Sequence, residues 1–163
     1  MKKILLAIAT LLSFTPAVMA NEDPVNSRRS GLYVGGQLGA AVNNNEKISY
    51  GALVGIQLGP YVRFEGTYDN NSLGKTANMF MGNVIGQYLI PNSVVTSYVL
   101  VGTGLSYFGS QSVGTYAVGG GVRLAASGSI ELDARYRYIA EYNEKYMPAA
   151  GVNTFTVGTS YRF

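Results

Sequence analysis

The 163-residue sequence contains no cysteine, no histidine and no tryptophan. Without thiols or imidazoles there is no disulfide framework, no zinc site of the usual kind and no imidazole base. The asparagine-rich stretch from Asn43 to Glu46 lacks the alternating acidic ligands of a calcium loop. No metal, cofactor or catalytic residue is therefore expected. Charge is scarce too: 13% of residues are charged against 47% hydrophobic, too apolar for a disordered chain and low in charge for a soluble one. Long apolar runs are also missing. The uncharged stretch from Ile4 to Phe14 spans 11 residues, well short of the ~20 that a membrane helix needs.

That stretch follows Lys2 and Lys3 and precedes Pro16 and the small-residue site Val18-Met19-Ala20, which is the layout of a secretory signal peptide over residues 1–20. Its removal takes away two lysines and leaves ten basic and nine acidic residues, so nothing remains to support nucleic-acid binding. Residues 21–30, NEDPVNSRRS, are polar, of mixed charge and contain Pro24, and read as a flexible leader.

What the remainder has is alternation with a period of two. Ile130, Leu132, Ala134, Tyr136 and Tyr138 alternate with Glu131, Asp133, Arg135 and Arg137. Val62, Phe64 and Tyr68 lie opposite Arg63, Glu65 and Asp69; Val118, Val122 and Leu124 lie opposite Gly119, Gly121 and Arg123. Phe155, Val157, Tyr161 and Phe163 alternate with Thr156, Gly158, Ser160 and Arg162. A helix cannot keep such faces together, whereas a strand does so by construction. Eight runs are expected, at about 31–42, 48–58, 61–69, 77–90, 94–107, 114–126, 129–140 and 153–163, an even number that lets an antiparallel meander close. Tight turns at Gly59-Pro60, Pro91-Asn92-Ser93 and Ser127-Gly128 alternate with longer links, Asn43 to Lys47, Asn70 to Thr76, Phe108 to Val113 and Glu141 to Val152. Short turns on one rim and longer loops on the other are the pattern of a membrane barrel with its short turns in the periplasm.

Alternation alone does not say whether the apolar face looks into a core or out into lipid. The aromatics decide it. Tyr68, Phe80, Tyr107, Tyr116 and Tyr138 fall near the longer loops, while Tyr88, Tyr161 and Phe163 fall near the short turns, with Val99, Val101, Val122, Leu132 and Val157 between. Two girdles flanking an aliphatic band suit a bilayer, and a soluble sandwich has no reason to sort aromatics by height. The expected fold is thus an all-β, eight-stranded, antiparallel, up-and-down transmembrane β-barrel over residues 31–163. Its lumen face would carry an ion-pair network of Arg63, Glu65, Arg123, Glu131, Asp133, Arg135 and Arg137. Gly35, Gly39, Gly51, Gly55, Gly102, Gly104, Gly119, Gly121 and Gly158 would leave room for those long side chains.

The stretches Leu32-Tyr33-Val34-Gly35-Gly36-Gln37-Leu38-Gly39, Gly55-Ile56-Gln57-Leu58-Gly59-Pro60-Tyr61-Val62-Arg63-Phe64-Glu65, Gly120-Gly121-Val122 and the ending Val157-Gly158-Thr159-Ser160-Tyr161-Arg162-Phe163 resemble the transmembrane domain of OmpA-like outer-membrane proteins and the related opacity-type surface proteins. The resemblance implies an outer-membrane location, contact with membrane lipid and lipopolysaccharide, and a signal for the barrel-insertion machinery in Val157, Tyr161 and Phe163, with Thr159 a weak member. It also implies a lumen ion-pair gate whose acid on the third strand is Glu65. In that alignment Arg123 replaces an acid on the sixth strand and Asp133 a base on the seventh, so the signs are exchanged and the pair kept. The peptidoglycan-binding domain usual in OmpA-like proteins is not expected here. Barrel enzymes of the outer membrane rely on a histidine, which this chain lacks. Three roles stay open: a structural or surface-interaction protein with a lumen filled by charged residues, a narrow pore for ions or small solutes, and an adhesin binding a host or surface ligand through its loops.

Overall fold

The computed structural model describes residues 30–43, 45–73, 75–91, 93–142 and 151–163. The signal peptide and most of the leader lie outside the described residues. Eight strands follow one another: β1 Gly31–Asn43, β2 Asn45–Leu58, β3 Val62–Leu73, β4 Lys75–Leu89, β5 Val95–Phe108, β6 Gln111–Ala125, β7 Ile130–Glu141 and β8 Val152–Arg162. Each pairs antiparallel with the next, and β1 pairs with β8 so that the sheet closes on itself. Closure removes the unpaired edges that an open sheet would present to lipid.

The strands carry the in/out pattern that the alternation demands. On β7 the odd-numbered residues from Glu131 to Arg137 face inward and the even-numbered ones from Ile130 to Tyr138 face outward, and the outer face holds the exposed aliphatics such as Val99, Val101 and Val118. On one rim, Gly59 takes a left-handed backbone (φ 69°) that favours glycine, and its N–H donates to Ser30 Oγ at 2.9 Å.

The other rim differs from the sequence expectation. The links at Asn43 to Lys47, Asn70 to Thr76 and Phe108 to Val113 are largely strand: β1 runs to Asn43 and β2 starts at Asn45, β3 runs to Leu73 and β4 starts at Lys75, and β5 and β6 are joined through Gly109 (φ 65°) and Ser110. Only the β7–β8 connection is long. The reason is that a strand continuing past the lipid has no apolar face to keep. There polar cross-strand contacts replace alternation, as where Asn70 Nδ2 and Tyr68 OH both donate to Asn78 Oδ1, at 2.8 and 2.9 Å.

Aromatics gather on the outer wall in touching groups. Tyr68 and Phe80 have ring centroids 4.9 Å apart, Phe80 and Tyr107 6.0 Å, and Tyr116 packs on Tyr142 at 5.4 Å. Tyr138 lies against Gly151, whose missing Cβ would meet the ring at 2.6 Å. Tyr136 and Phe155, at 4.9 Å, form another pair on this wall. At the short-turn rim, Tyr161 meets Phe163 at 5.2 Å and Tyr88 is 65% exposed.

Candidate functional site in the barrel lumen

An eight-stranded barrel has an interior about as wide as its own side chains. Here the inward faces of β3, β6, β7 and β8 bring charges together in tiers. Nearest the short turns, Arg63 Nη1 and Nη2 donate to Glu131 at 2.7 and 2.8 Å, Arg162 donates to the same carboxylate, and Arg123 Nε stands 3.9 Å from it. One step higher, Asp133 accepts from Arg123 Nε at 3.2 Å and lies 3.3 Å from Arg135 Nε. Next, Arg135 donates to both oxygens of Glu65 at 2.6 and 3.1 Å. Above that, Arg137 Nη1 donates to Asp69 Oδ2 at 2.8 Å, and Gln37 donates to the other oxygen of Asp69.

Three of these links, Arg63–Glu131, Glu65–Arg135 and Asp69–Arg137, join β3 to β7. In a closed order of eight, those strands are four apart and face each other across the lumen. The bidentate geometry of the first two exploits the fixed fork of the guanidinium. Counting Glu141, five arginines and five carboxylates are packed inside, so their formal charges cancel.

Two tyrosines knit the tiers together. The Tyr98 hydroxyl donates to Asp133 at 2.9 and 3.0 Å and accepts from Arg135 Nε at 3.1 Å, while the Arg123 guanidinium lies 4.5 Å from the Tyr98 ring centroid. Tyr33 repeats the device, donating to Glu65 Oε2 at 3.1 Å beneath Arg63, 4.9 Å from its ring. Both rings occupy space left by glycines. A Cβ at Gly55 would collide with Tyr33, and one at Gly121 would stand 2.6 Å from the Tyr98 hydroxyl. The expectation that the glycines make room for charged chains is thus incomplete, because at these two positions the guests are aromatic.

All seven residues of the expected network share the lumen, and Arg123 and Asp133 are opposite one another in register. One detail of the resemblance changes. The base reaching Glu65 is Arg135, not a group at position 133, so the exchange of signs concerns only Arg123 and Asp133. Sequence reasoning left Asp69 and Arg162 out of the network and missed Tyr33, Tyr98, Gln37 and Gln87, whose Oε1 accepts from Arg123 Nη1 at 2.7 Å. The signal for the tyrosines was there: Tyr33 keeps parity with Gly35 and Gly39, and Tyr98 with Gly102 and Gly104.

In the far half of the lumen one wall is apolar, beside Asp69, the register partner of Met79. Ala41, Met79, Met81, Ala117, Ile139 and Val152 form a buried apolar cluster, with Phe108 packed on it. A uniformly charged filling is corrected by this cluster, which arises because Met79-Phe80-Met81 is apolar on both faces of β4.

The fold has close counterparts among solved structures. The N-terminal β-barrel domain of Pseudomonas aeruginosa OprF superposes with a TM-score of 0.64 at 14% identity, covering 83% of this chain and 100% of that one. Neisserial surface protein A gives 0.60 at 18%, covering 82% and 97%. The outer-membrane enzyme PagL gives 0.51 at 14%, covering 80% and 99%. These identities speak for the fold alone. No curated protein matches the sequence significantly. Residues 5–163 match the outer membrane protein β-barrel domain, and with its closed eight-stranded barrel and alternating wall the chain belongs to that family and resides in the outer membrane.

Proposed function

We propose that this protein is a non-conducting, non-catalytic barrel with a structural or surface-interaction role, its lumen sealed by its own side chains. The observation that carries this reading is the set of three ion pairs joining β3 to β7 across the lumen. The buried apolar cluster around Met79 and Met81 supports it, since apolar side chains lining a lumen oppose ion passage. At the short-turn end the cavity beside Arg63 and Arg123 measures about 20 Å³, room for roughly one water.

Against catalysis stand the absence of histidine and cysteine from the sequence and the engagement of the Glu131 and Asp133 carboxylates by arginine partners, which leaves neither free to meet a substrate. PagL shows that the fold itself tolerates an enzyme, so the residues and not the architecture speak against catalysis. An adhesive role would fall to the β7–β8 connection, because the other rim turns are short. Outer-membrane lipid and lipopolysaccharide surround the wall, and Val157 and Tyr161, outward on β8, with Phe163 just past its end, are the residues the insertion machinery would read.

Reconstitution in planar bilayers tests the seal. The wild type is expected to show no steady current. A stable ohmic conductance would refute the seal and favour the narrow-pore reading.

A further inference from the structure

Charge in the lumen is uneven along its axis. Arg63, Arg123, Arg135 and Arg162 share the short-turn half with Glu65, Glu131 and Asp133, whereas Arg137 lies farther along with Asp69 and Glu141. The short-turn half therefore holds one surplus positive charge. Acceptors are shared here: Arg63 and Arg162 both lean on Glu131, and Arg63 Nε with Arg162 Nε and Nη1 are buried without an acceptor among the described residues, as are Arg137 Nε and Nη2 in the other half. Arg63 is 3% exposed and Arg162 7%.

Directly beside Arg63 and Arg123 lies the cavity of about 20 Å³, which Gln57, Gln87, Ser93, Thr96, the Glu131 carboxylate and four apolar residues also line. Two guanidinium groups thus face one carboxylate around a space for one atom-sized guest, with amide and hydroxyl groups completing its polar wall. Buried guanidinium donors make their strongest hydrogen bonds to anions. A tetrahedral oxyanion is too large for the space, since one water already needs about 10–15 Å³ by this measure.

We propose that the short-turn mouth of the lumen binds a single halide-sized monovalent anion, held by Arg63 and Arg123 and balancing the surplus charge to which Arg162 contributes. This inference rests on the sealed lumen proposed above, because an open, wet channel would leave the arginines solvated.

The test uses the folded full-length barrel in detergent micelles, unfolded with urea in sodium chloride, sodium bromide or sodium gluconate at equal ionic strength. Chloride and bromide are expected to raise the urea midpoint saturably and gluconate to leave it unchanged, as binding to the folded state alone requires. Thr96→Leu fills the cavity without touching an ion pair, and Arg162→Gln removes the surplus. Each is expected to weaken the apparent halide affinity at least tenfold. If Arg162→Gln does not fold, Thr96→Leu decides by itself. Bromide anomalous scattering from crystals should place the ion between Arg63 and Arg123. Equal midpoints in chloride and gluconate overturn the site, as does a rise that is linear in salt and persists in Thr96→Leu, which is a general salt effect. Conductance of the same preparations in planar bilayers reports separately on the seal, so failure of the seal and failure of the anion site are told apart.

Discussion

Removing Glu131 is expected to cost more stability than removing Glu65, although both are buried acids in cross-lumen pairs. Glu131 is the carboxylate on which Arg63 and Arg162 both depend, and Arg123 stands 3.9 Å away. Glu131→Gln leaves two buried guanidinium groups uncompensated, and breaking a buried pair in this way costs about 3–5 kcal/mol. Glu65→Gln strands only Arg135, which keeps Asp133 at 3.3 Å and the Tyr98 hydroxyl at 3.1 Å. The loss is then closer to that of hydrogen bonds to a charged group, about 1.5–3 kcal/mol. Equilibrium urea titrations of folding into lipid vesicles, read by the mobility difference between boiled and unboiled samples on a denaturing gel, measure both. A cycle of Arg63→Met and Glu131→Gln should return a coupling of about 1–3 kcal/mol. A Glu65→Gln barrel as unstable as Glu131→Gln, or a coupling near zero, would falsify the idea that sharing of acceptors sets the cost.

Three further outcomes follow from the same geometry. Val101→Arg, in the aliphatic band, should destabilise the barrel by about 2–4 kcal/mol and Tyr88→Arg, at the rim, by about 0–1 kcal/mol; equal losses in vesicle titrations would reject the height ordering of the outer wall. Gly121→Ser drives its Cβ into the Ala134 carbonyl oxygen and against Tyr98, whereas Gly82 has no atom nearer than 4.0 Å, so the first should cost about 1–3 kcal/mol by overpacking and the second little; similar urea midpoints would contradict this. Exchanging charges through Arg123→Asp with Asp133→Arg should fail to restore stability, because the new arginine would face Arg135, now 3.3 Å from Asp133; full recovery of the midpoint would show that Arg135 plays no part.

How much of this was legible depended on what each residue must satisfy. Along β7, every other residue meets lipid and the rest meet the lumen, so Glu131 to Tyr138 could be assigned to faces by inspection. The strand ends were hidden for the opposite reason: beyond the lipid, Asn70 and Asn78 bond across the ladder without an apolar partner face, and a polar strand looks like a loop. Tyr98 was obscured because Leu100, also inward, is apolar like its outward neighbours Val99 and Val101. The pairing of Arg63 with Glu131, 68 residues apart, has no local signature. It exists only once closure sets β3 opposite β7, and so the cross-lumen links could be populated from the sequence but not connected.

Closure itself poses a register problem that the lumen charges help to solve. A slip by one residue turns a strand inside out, but a slip by two preserves both faces and alternation does not oppose it. The strand most exposed to this error is β8, which must find β7 and β1 at the end of the longest connection. Its inward residues Thr154, Thr156 and Ser160 are chemically alike, so a two-residue slip changes little at those positions. Two residues do mark the register. Gly158 admits the backbone of Gly36, where a Cβ would approach its carbonyl oxygen to 2.6 Å, and Arg162, the single charge on β8, meets Glu131. Arg162→Met is therefore expected to let a fraction of barrels close with β8 displaced by two. Because the chain has no cysteine, Ala134→Cys with Val157→Cys reports the native pairing and Ala134→Cys with Phe155→Cys or Thr159→Cys reports the slipped ones; a disulfide forms only with Cα atoms about 4.4–6.8 Å apart. Cross-linking confined to the native pair in the Arg162→Met background would assign the register to Gly158 alone.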